Sequence, residues 1–333
     1  MKLAKSCLVG LALVTSTIAK PAELFSGDIG AAESSQATAK ATVRDVATVG
    51  YATMNGGTSG GKAGAIVTVS TLAELEKAAA AAGPAIIMVS GKIATPGKVR
   101  IGSNKSIIGK DSKAELAGVG LSIRNVHNVI VRNLKIHHVR ALQGDAIAIQ
   151  ASTNVWIDHV DVSSDKEHGK DYFDGLIDAT HAADFVTISN NYIHDHYKAS
   201  LVGHSGNNGA EDTGHLRITF ANNLWHNINS RAPSLRFGTV HVFGSFFLNV
   251  MNGINVRKGA QVLVEQNKFK GCLKPLYSVD STGTAVHRGN DFGANVTATI
   301  ELGTRRAVPY KYALPELDEL KIIARATGNT LTF

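Results

Sequence analysis

The sequence predicts an all-β chain folded as one parallel β-helix, and three observations point there. A five-residue phrase recurs over Val129–Asn133, Val155–His159, Val186–Asn190, Ile218–Asn222, Val240–Gly244 and Val262–Gln266, with apolar first and third positions and a polar or small fifth. The starts lie 26, 31, 32, 22 and 22 residues apart, a base period of 22 with insertions of four, nine and ten residues in the middle coils. Period-two alternation over so few residues marks short strands, and helical stretches between them are too rare for βαβ units. Stacking each coil on the one before aligns residues of equal phase. A β-sandwich with Greek keys competes, but its strand order would not hold one phase constant.

From the N-terminus, Lys2 and Lys5 precede the short apolar stretch Leu8–Ile18, with small residues at Thr17 and Ala19. Residues 1–19 therefore read as a secretory signal, and the apolar stretch is too short to span a bilayer. Residues 20–45, rich in Ala, Ser and Thr, are expected to be a flexible leader, and 46–333 one domain. The Gly-rich Asn55–Gly64 is read as a turn, because no Ser or Thr follows Lys62 to make a phosphate loop. Thr71 and Glu74 form a capping box that opens a helix through Ala82, stopped by Gly83 and Pro84. That helix precedes the first coil and is expected to plug its open end. Ala85–Val89 and Ser106–Gly109 extend the strand pattern, and Pro315–Ala326 is a second amphipathic candidate near the C-terminus. Asn133, Asn190 and Asn222 share one phase with His159 and Gln266, and stacked amides there are expected to hydrogen-bond along a ladder.

Composition bounds the function. With 44% hydrophobic and 18% charged residues, mean hydropathy +0.02, 33 Gly and 7 Pro, the chain is no disordered polymer, collagen, coiled coil or polytopic membrane protein. The formal charge is +7, falling to +5 without the two lysines of residues 1–19. It is spread without runs, which suits a polyanionic partner. Removing the signal also removes Cys7, so Cys272 stands alone, no internal disulfide can form, and Cys272 reads as a small buried residue.

The insertions bracket residues 135–240, where solenoids carry their sites. Asp145 lies ten residues before Val155, and Asp174 and Asp178 lie twelve and eight before Val186. All three offsets are even, so extended strands would put the side chains on one face, with coils about 4.8 Å apart. Several oxygen ligands on a rigid frame favour Ca²⁺ over zinc or copper; solvated strand-end aspartates are the alternative. Lys198, Arg231 and Arg236 follow along the same face. Beside an acid-bound cation they call for a carboxylate-bearing polymer, since arginine grips carboxylates with two parallel hydrogen bonds. The plainer alternative is that the two arginines neutralise local acids.

In order and combination, Gly144–Ile147, Val155–His159, Asp174–Asp178, Tyr192–Lys198 and Arg231–Gly238 resemble the extracellular pectate lyases, the fungal type above all. The likeness covers roughly residues 50–300. It implies a right-handed β-helix, secretion, a monomer, and a galacturonate polymer as partner rather than nucleic acid or membrane. It also implies Asp145, Asp174 and Asp178 as Ca²⁺ ligands, Lys198 and Arg236 as holders of substrate carboxylates, and Arg231 as catalytic base. Gln143 stands where several bacterial members carry a further aspartate. Trp156 and His159 belong to the motif, and their phase makes them structural.

The expected reaction is Ca²⁺-dependent β-elimination on (1,4)-α-D-galacturonan, leaving 4,5-unsaturated ends. A guanidine acting as base implies an alkaline optimum. The alternatives are a calcium-free lyase on methyl-esterified pectin, a glycoside hydrolase using paired carboxylates, and a β-helix that binds polygalacturonate without cutting it. Three aspartates and only 6% aromatic residues speak against the first.

Overall fold

The computed structural model describes residues 19–25 and 40–333, so the expected signal lies outside the described residues except for Ala19. Three parallel sheets enclose one apolar core. A long sheet of eleven strands runs from Ala65–Val69 to Glu301–Leu302. A groove sheet of eight strands runs from Gly97–Ile101 to Lys274–Tyr277, and a flank sheet of eight from Lys92–Ile93 to Lys268–Lys270. One coil visits each in turn: Thr153–Asp158 in the long sheet, Asp161–Ser163 in the flank, Ile177–Thr180 in the groove sheet, then Asp184–Ser189 in the long sheet again.

The recurring phrase is the long sheet. Val129 lies opposite Val155, and the row continues through Val186, Ile218, Val240 and Val262. These residues and their i+2 partners, from Val131 to Val264, have no exposed surface. Each is worth about 1.5–3 kcal/mol of apolar burial. Trp225, Phe247 and Phe269 stack through three successive flank strands, the last pair 4.3 Å apart and nearly parallel. This continuous core answers the need for stability without a disulfide. Cys272 is buried and its thiol is pushed up to about 12 by burial, which suits a packing residue and not a nucleophile.

The amide ladder is real but sits one residue later than its sequence phase. Asn133, His159, Asn190, Asn222 and Gln266 turn the corner in the left-handed region, at φ 56°, 50°, 55°, 56° and 48°. The stacked, buried side chains are Asn191, Asn223, Ser245 and Asn267. Asn223 Oδ1 accepts from both the backbone and side chain of Asn191, and Asn267 Oδ1 accepts the Ser245 N–H. A residue that absorbs a sharp turn points its side chain away from the column, and its neighbour inherits the inward direction.

The capped helix spans Leu72–Ala80 with both capping-box bonds made, and it buries Leu75 and Ala79 in the core. It ends two residues before the expected Ala82. The Gly-rich turn straps across the long sheet, where the Asn128 side chain accepts from the Ser59 and Gly60 N–H groups. A Cβ on Gly61 would fall 1.8 Å from the Ala85 carbonyl oxygen, so only glycine fits. The second helix is shorter than expected, Leu320–Arg325, and does not close the far end of the solenoid. It lies against the flank sheet, because Tyr192, Leu224 and Phe246 form an outward apolar row that it covers together with Phe25. The leader expected over 20–45 thus holds packed structure where it is described: Pro21–Leu24 is helical, and Asp45 pairs with Arg132 at 2.8 Å.

Candidate active site

Asp145 stands two residues before the groove strand Ile147–Gln150, and Asp178 lies in the adjacent strand Ile177–Thr180. Gly175 sits between them. Its N–H donates to Asp145 Oδ1 at 2.9 Å, and a methyl on its Cα would fall 2.4 Å from Asp178 Oδ1. Asp178 also accepts the Leu201 N–H at 2.9 Å. Asp174 is half exposed at the rim, with its carboxylate 3.6 Å from Lys198 Nζ. The structure therefore draws two of the three predicted acids together around one glycine and leaves the third facing the lysine. Among the described residues, no three acid, imidazole or thiol groups close tightly enough to enclose an ion.

The even-offset argument does not survive the register. Gln150 to Thr153 spans three steps, whereas the equivalent Thr180 to Asp184 spans four, so one extra residue in the turn shifts the parity. Asp145 is level with Gly175, and Asp178 with Ala148. Convergence comes from the loop that precedes the second strand rather than from alternation along it.

Charge confirms the crowding. Asp145 is raised to about 6, first by burial and then by the charge of Asp174, against the pull of the Gly175 N–H, Lys98 and Arg231. Asp178 is pushed well above the ordinary carboxylate range by burial and then by Asp145. Burial and the neighbouring carboxylates outweigh the pull of Lys98 and Arg231 on the pair.

His196, buried one strand away, fixes the loop. Its Nε2–H donates to the Asp174 carbonyl at 2.6 Å while Nδ1 accepts from the Ser164 hydroxyl. Burial pushes its pKa down to about 4, so the ring is neutral and makes both bonds.

Lys198 closes the flank strand Tyr192–Lys198 opposite Ser230, and Arg231 follows Ser230 in the left-handed region at φ 59°. Lys198 Nζ meets Asp171 at 3.0 Å as well as Asp174. Arg236 lies level with Arg257 on the neighbouring groove strand. It donates to the Gly203 carbonyl at 2.8 Å, but the buried Nε of each arginine makes no hydrogen bond, that of Arg257 facing the Asp280 carboxylate at 3.9 Å. Burial, then Arg257 and Arg231, lower the pKa of Arg236. Crowded guanidiniums with idle donors form a site for a carboxylate.

Arg257, Gly175 and His196 escaped the sequence reading. Arg257 could have been found, because it falls 21 residues after Arg236, close to one coil period. Gln143 lines a separate cleft with His138 and Phe173, and its Oε1 is without a partner. Trp156 and His159 lie on the long sheet, away from the groove: Trp156 Nε1 donates to Ser189 and His159 Nδ1 contacts Asp158 at 2.7 Å.

Comparisons with known proteins converge on the same chemistry. The family profile described as pectate lyase matches residues 13–317. A probable pectate lyase A of Aspergillus fumigatus is 57% identical over 291 residues, covering 87% of this chain and 90% of that protein. Pectate lyase A of Aspergillus niger is 52% identical over 320 residues, covering 95% and 98%. Among solved structures, a pectate lyase from Bacillus sp. N165, crystallised with trigalacturonate, superposes with a TM-score of 0.77 at 31% identity over 85% of this chain and 99% of that one. With a groove of mixed acids and arginines on a parallel β-helix, and relatives of this closeness along nearly its whole length, the chain belongs to the pectate lyase family and is a polysaccharide lyase.

Proposed function

We propose that this lyase cleaves de-esterified (1,4)-α-D-galacturonan by β-elimination, with Asp145, Asp174 and Asp178 holding Ca²⁺ beside Lys198, Arg231 and Arg236. The observation that carries this reading is the pair Asp145 and Asp178 pressed around Gly175, both driven toward protonation. An all-oxygen, acid-rich donor set with no imidazole or thiolate suits a hard divalent cation. When bound there, Ca²⁺ draws charge from a substrate carboxylate and so acidifies the neighbouring C5–H.

The chain's own groups do the rest. Lys198 and Arg236 hold carboxylates and stabilise the charge that grows on them as the proton leaves. Arg231, on a backbone held in the left-handed region, takes the C5 proton. The C–H electrons become the C4–C5 double bond, the C4–O bond breaks, and the departing sugar oxygen is protonated from water. We further propose secretion as a monomer, from the charged and apolar pattern of residues 1–19 and a fully wrapped solenoid; among the described residues no helix is long and apolar enough to cross a membrane.

Polygalacturonate digested by the purified protein is expected to gain ultraviolet absorbance from unsaturated ends. Chelation should reduce the rate at least a hundredfold, and Ca²⁺ should restore it. New reducing ends without absorbance would instead mean hydrolysis, and chelator-resistant cleavage of esterified polymer would mean a pectin lyase.

Gly175→Ala tests the geometry directly. The added methyl meets Asp178 at 2.4 Å, so the carboxylate must move. At least a tenfold loss of Ca²⁺ affinity is expected, with thermal stability changed by only a few degrees. Unaltered calcium titration would separate Asp178 from the ion site.

A further inference from the structure

The flank sheet stops at Lys268–Lys270, at the end of the solenoid remote from the capped helix. Among the described residues, the next coil pairs with that last strand through one bridge, from Lys268 to Asp291. Phe292 then packs on Phe269, ring centroids 5.3 Å apart, and adds one more ring to the aromatic stack. Beyond it the chain turns at Ala294 and Asn295. Between this turn and residues 268–273 lies an open cleft of about 630 Å³, with Phe269, Leu273, Phe292 and Val296 as its apolar wall. Leu273 is 68% exposed there. A strand edge beside an exposed apolar wall invites pairing with another chain, and native proteins cover or blunt such edges.

The turn on the rim of this cleft carries an acceptor sequence. Asn295, Val296 and Thr297 make the triplet Asn-X-Thr, and Asn104, Lys105 and Ser106 make an Asn-X-Ser. Asn295 and Thr297 are both exposed, and Asn295 stands in the left-handed region at φ 60°, between the cleft residues Ala294 and Val296. The other triplet is absorbed by the fold. Asn104 is half-buried, and its Oδ1 accepts from the Asn128 side chain at 2.8 Å. Lys105 and Ser106 are buried, and the Ser106 hydroxyl accepts the Gly61 N–H at 2.9 Å. An oligosaccharide is bulky and hydrophilic, so a folded chain carries one where the asparagine stands clear of its neighbours.

We infer that Asn295 is a glycosylation site, and that an N-linked oligosaccharide there covers the cleft and the open edge of the flank sheet. The donor is an oligosaccharide joined through pyrophosphate to a lipid. Asn295 Nδ2 attacks C1 of its first sugar: the N–C1 bond forms, the C1–O bond breaks, the amide nitrogen gives up one proton, and the lipid pyrophosphate leaves with the bonding electrons. A hydrated glycan offers no strand to pair with, so it blunts the edge that the last coil leaves uncovered. This rests on the reading of residues 1–19 as a secretory signal, because the donor is met on the secretory route.

The test expresses the full chain in a eukaryotic secretion host and maps peptides of the secreted protein after peptide N-glycosidase, which converts each occupied asparagine to aspartate. Position 295 should read as aspartate in most copies. Asn295→Gln should lose the glycan mass and raise the fluorescence of an apolar dye about twofold or more. Thr297→Ala, which keeps Asn295 and removes only the acceptor triplet, should do the same. Adding Leu273→Ser to either variant should cut that gain by about half, which places the dye in the cleft. Secreted protein whose Asn295 stays asparagine, with or without a glycan at Asn104, overturns the site. A glycan whose loss leaves dye fluorescence unchanged, or a gain that Leu273→Ser does not reduce, overturns the cover. Wild type that stays inside the cells sinks the signal reading instead. Replacing residues 1–19 with the host's own secretory signal then decides the site by the same readings.

Discussion

Arg231→Lys is expected to lower kcat on polygalacturonate by about 10²–10⁴-fold, the range for loss of a positioned proton acceptor, while KM stays within threefold and the thermal midpoint is unchanged. Lysine keeps the positive charge and tolerates the same left-handed backbone, φ 59°, so a purely electrostatic role would survive the exchange. Proton transfer would not. The shorter chain withdraws the nitrogen from C5, and a strongly hydrated ammonium replaces the planar fork. A guanidine accepts a proton only in the fraction that has lost its own, which favours alkaline pH. Arg236 and Arg257 crowd the same groove, and burial lowers the pKa of Arg236. The measurement is the pH dependence of kcat for wild type and variant. Near-full activity with an unshifted profile would remove Arg231 as the base and leave it a charge stabiliser.

Much of this frame was legible because a solenoid writes its geometry as a period. The row from Val129 to Val262 emerged in true register, since each member must fill the same place in the core. What the period conceals is the turn. One extra residue between Thr180 and Asp184 reversed the parity that seemed to align the three aspartates, and it left Asp174 at the rim. The ladder moved by one position for a related reason, the left-handed backbone of Asn190 and its counterparts. Gly175 carries no side chain to announce itself, and its role depends on two acids reaching it from different coils. The outward apolar row at Tyr192, Leu224 and Phe246 draws the C-terminal helix to the side of the solenoid.

Asp158→Ala should be the most destabilising single change outside the groove, costing about 3–5 kcal/mol. Asp158 is 1% exposed, and all its hydrogen-bonding capacity is used. Oδ2 accepts from Arg132 at 2.8 Å and contacts His159 at 2.7 Å, while Oδ1 accepts from Ser189 and Asn190, both at 2.8 Å. Arg132 in turn reaches Asp45 and lies over the rings of Trp156 and Phe333, so one guanidinium ties the leader, the long sheet and the C-terminus together. Truncation leaves the buried Arg132 to the more exposed Asp45 and takes the acceptor away from the Ser189 and Asn190 side chains. Asp45→Ala removes only the more exposed arm and should cost no more than about 1 kcal/mol. Acid provides the second readout. Burial tends to raise the Asp158 carboxyl, but His159 and then Arg132 outweigh it and hold the group at about 2. A depressed folded pKa stabilises above the unfolded value near 4, and that contribution fades as pH falls toward 2. The gap between wild type and Asp158→Ala in urea melts should therefore shrink by roughly 2 kcal/mol between pH 6 and pH 2. A gap below 1 kcal/mol at pH 6, or one that does not narrow in acid, would show that the knot around Arg132 is held by its ring contacts rather than by the carboxylate.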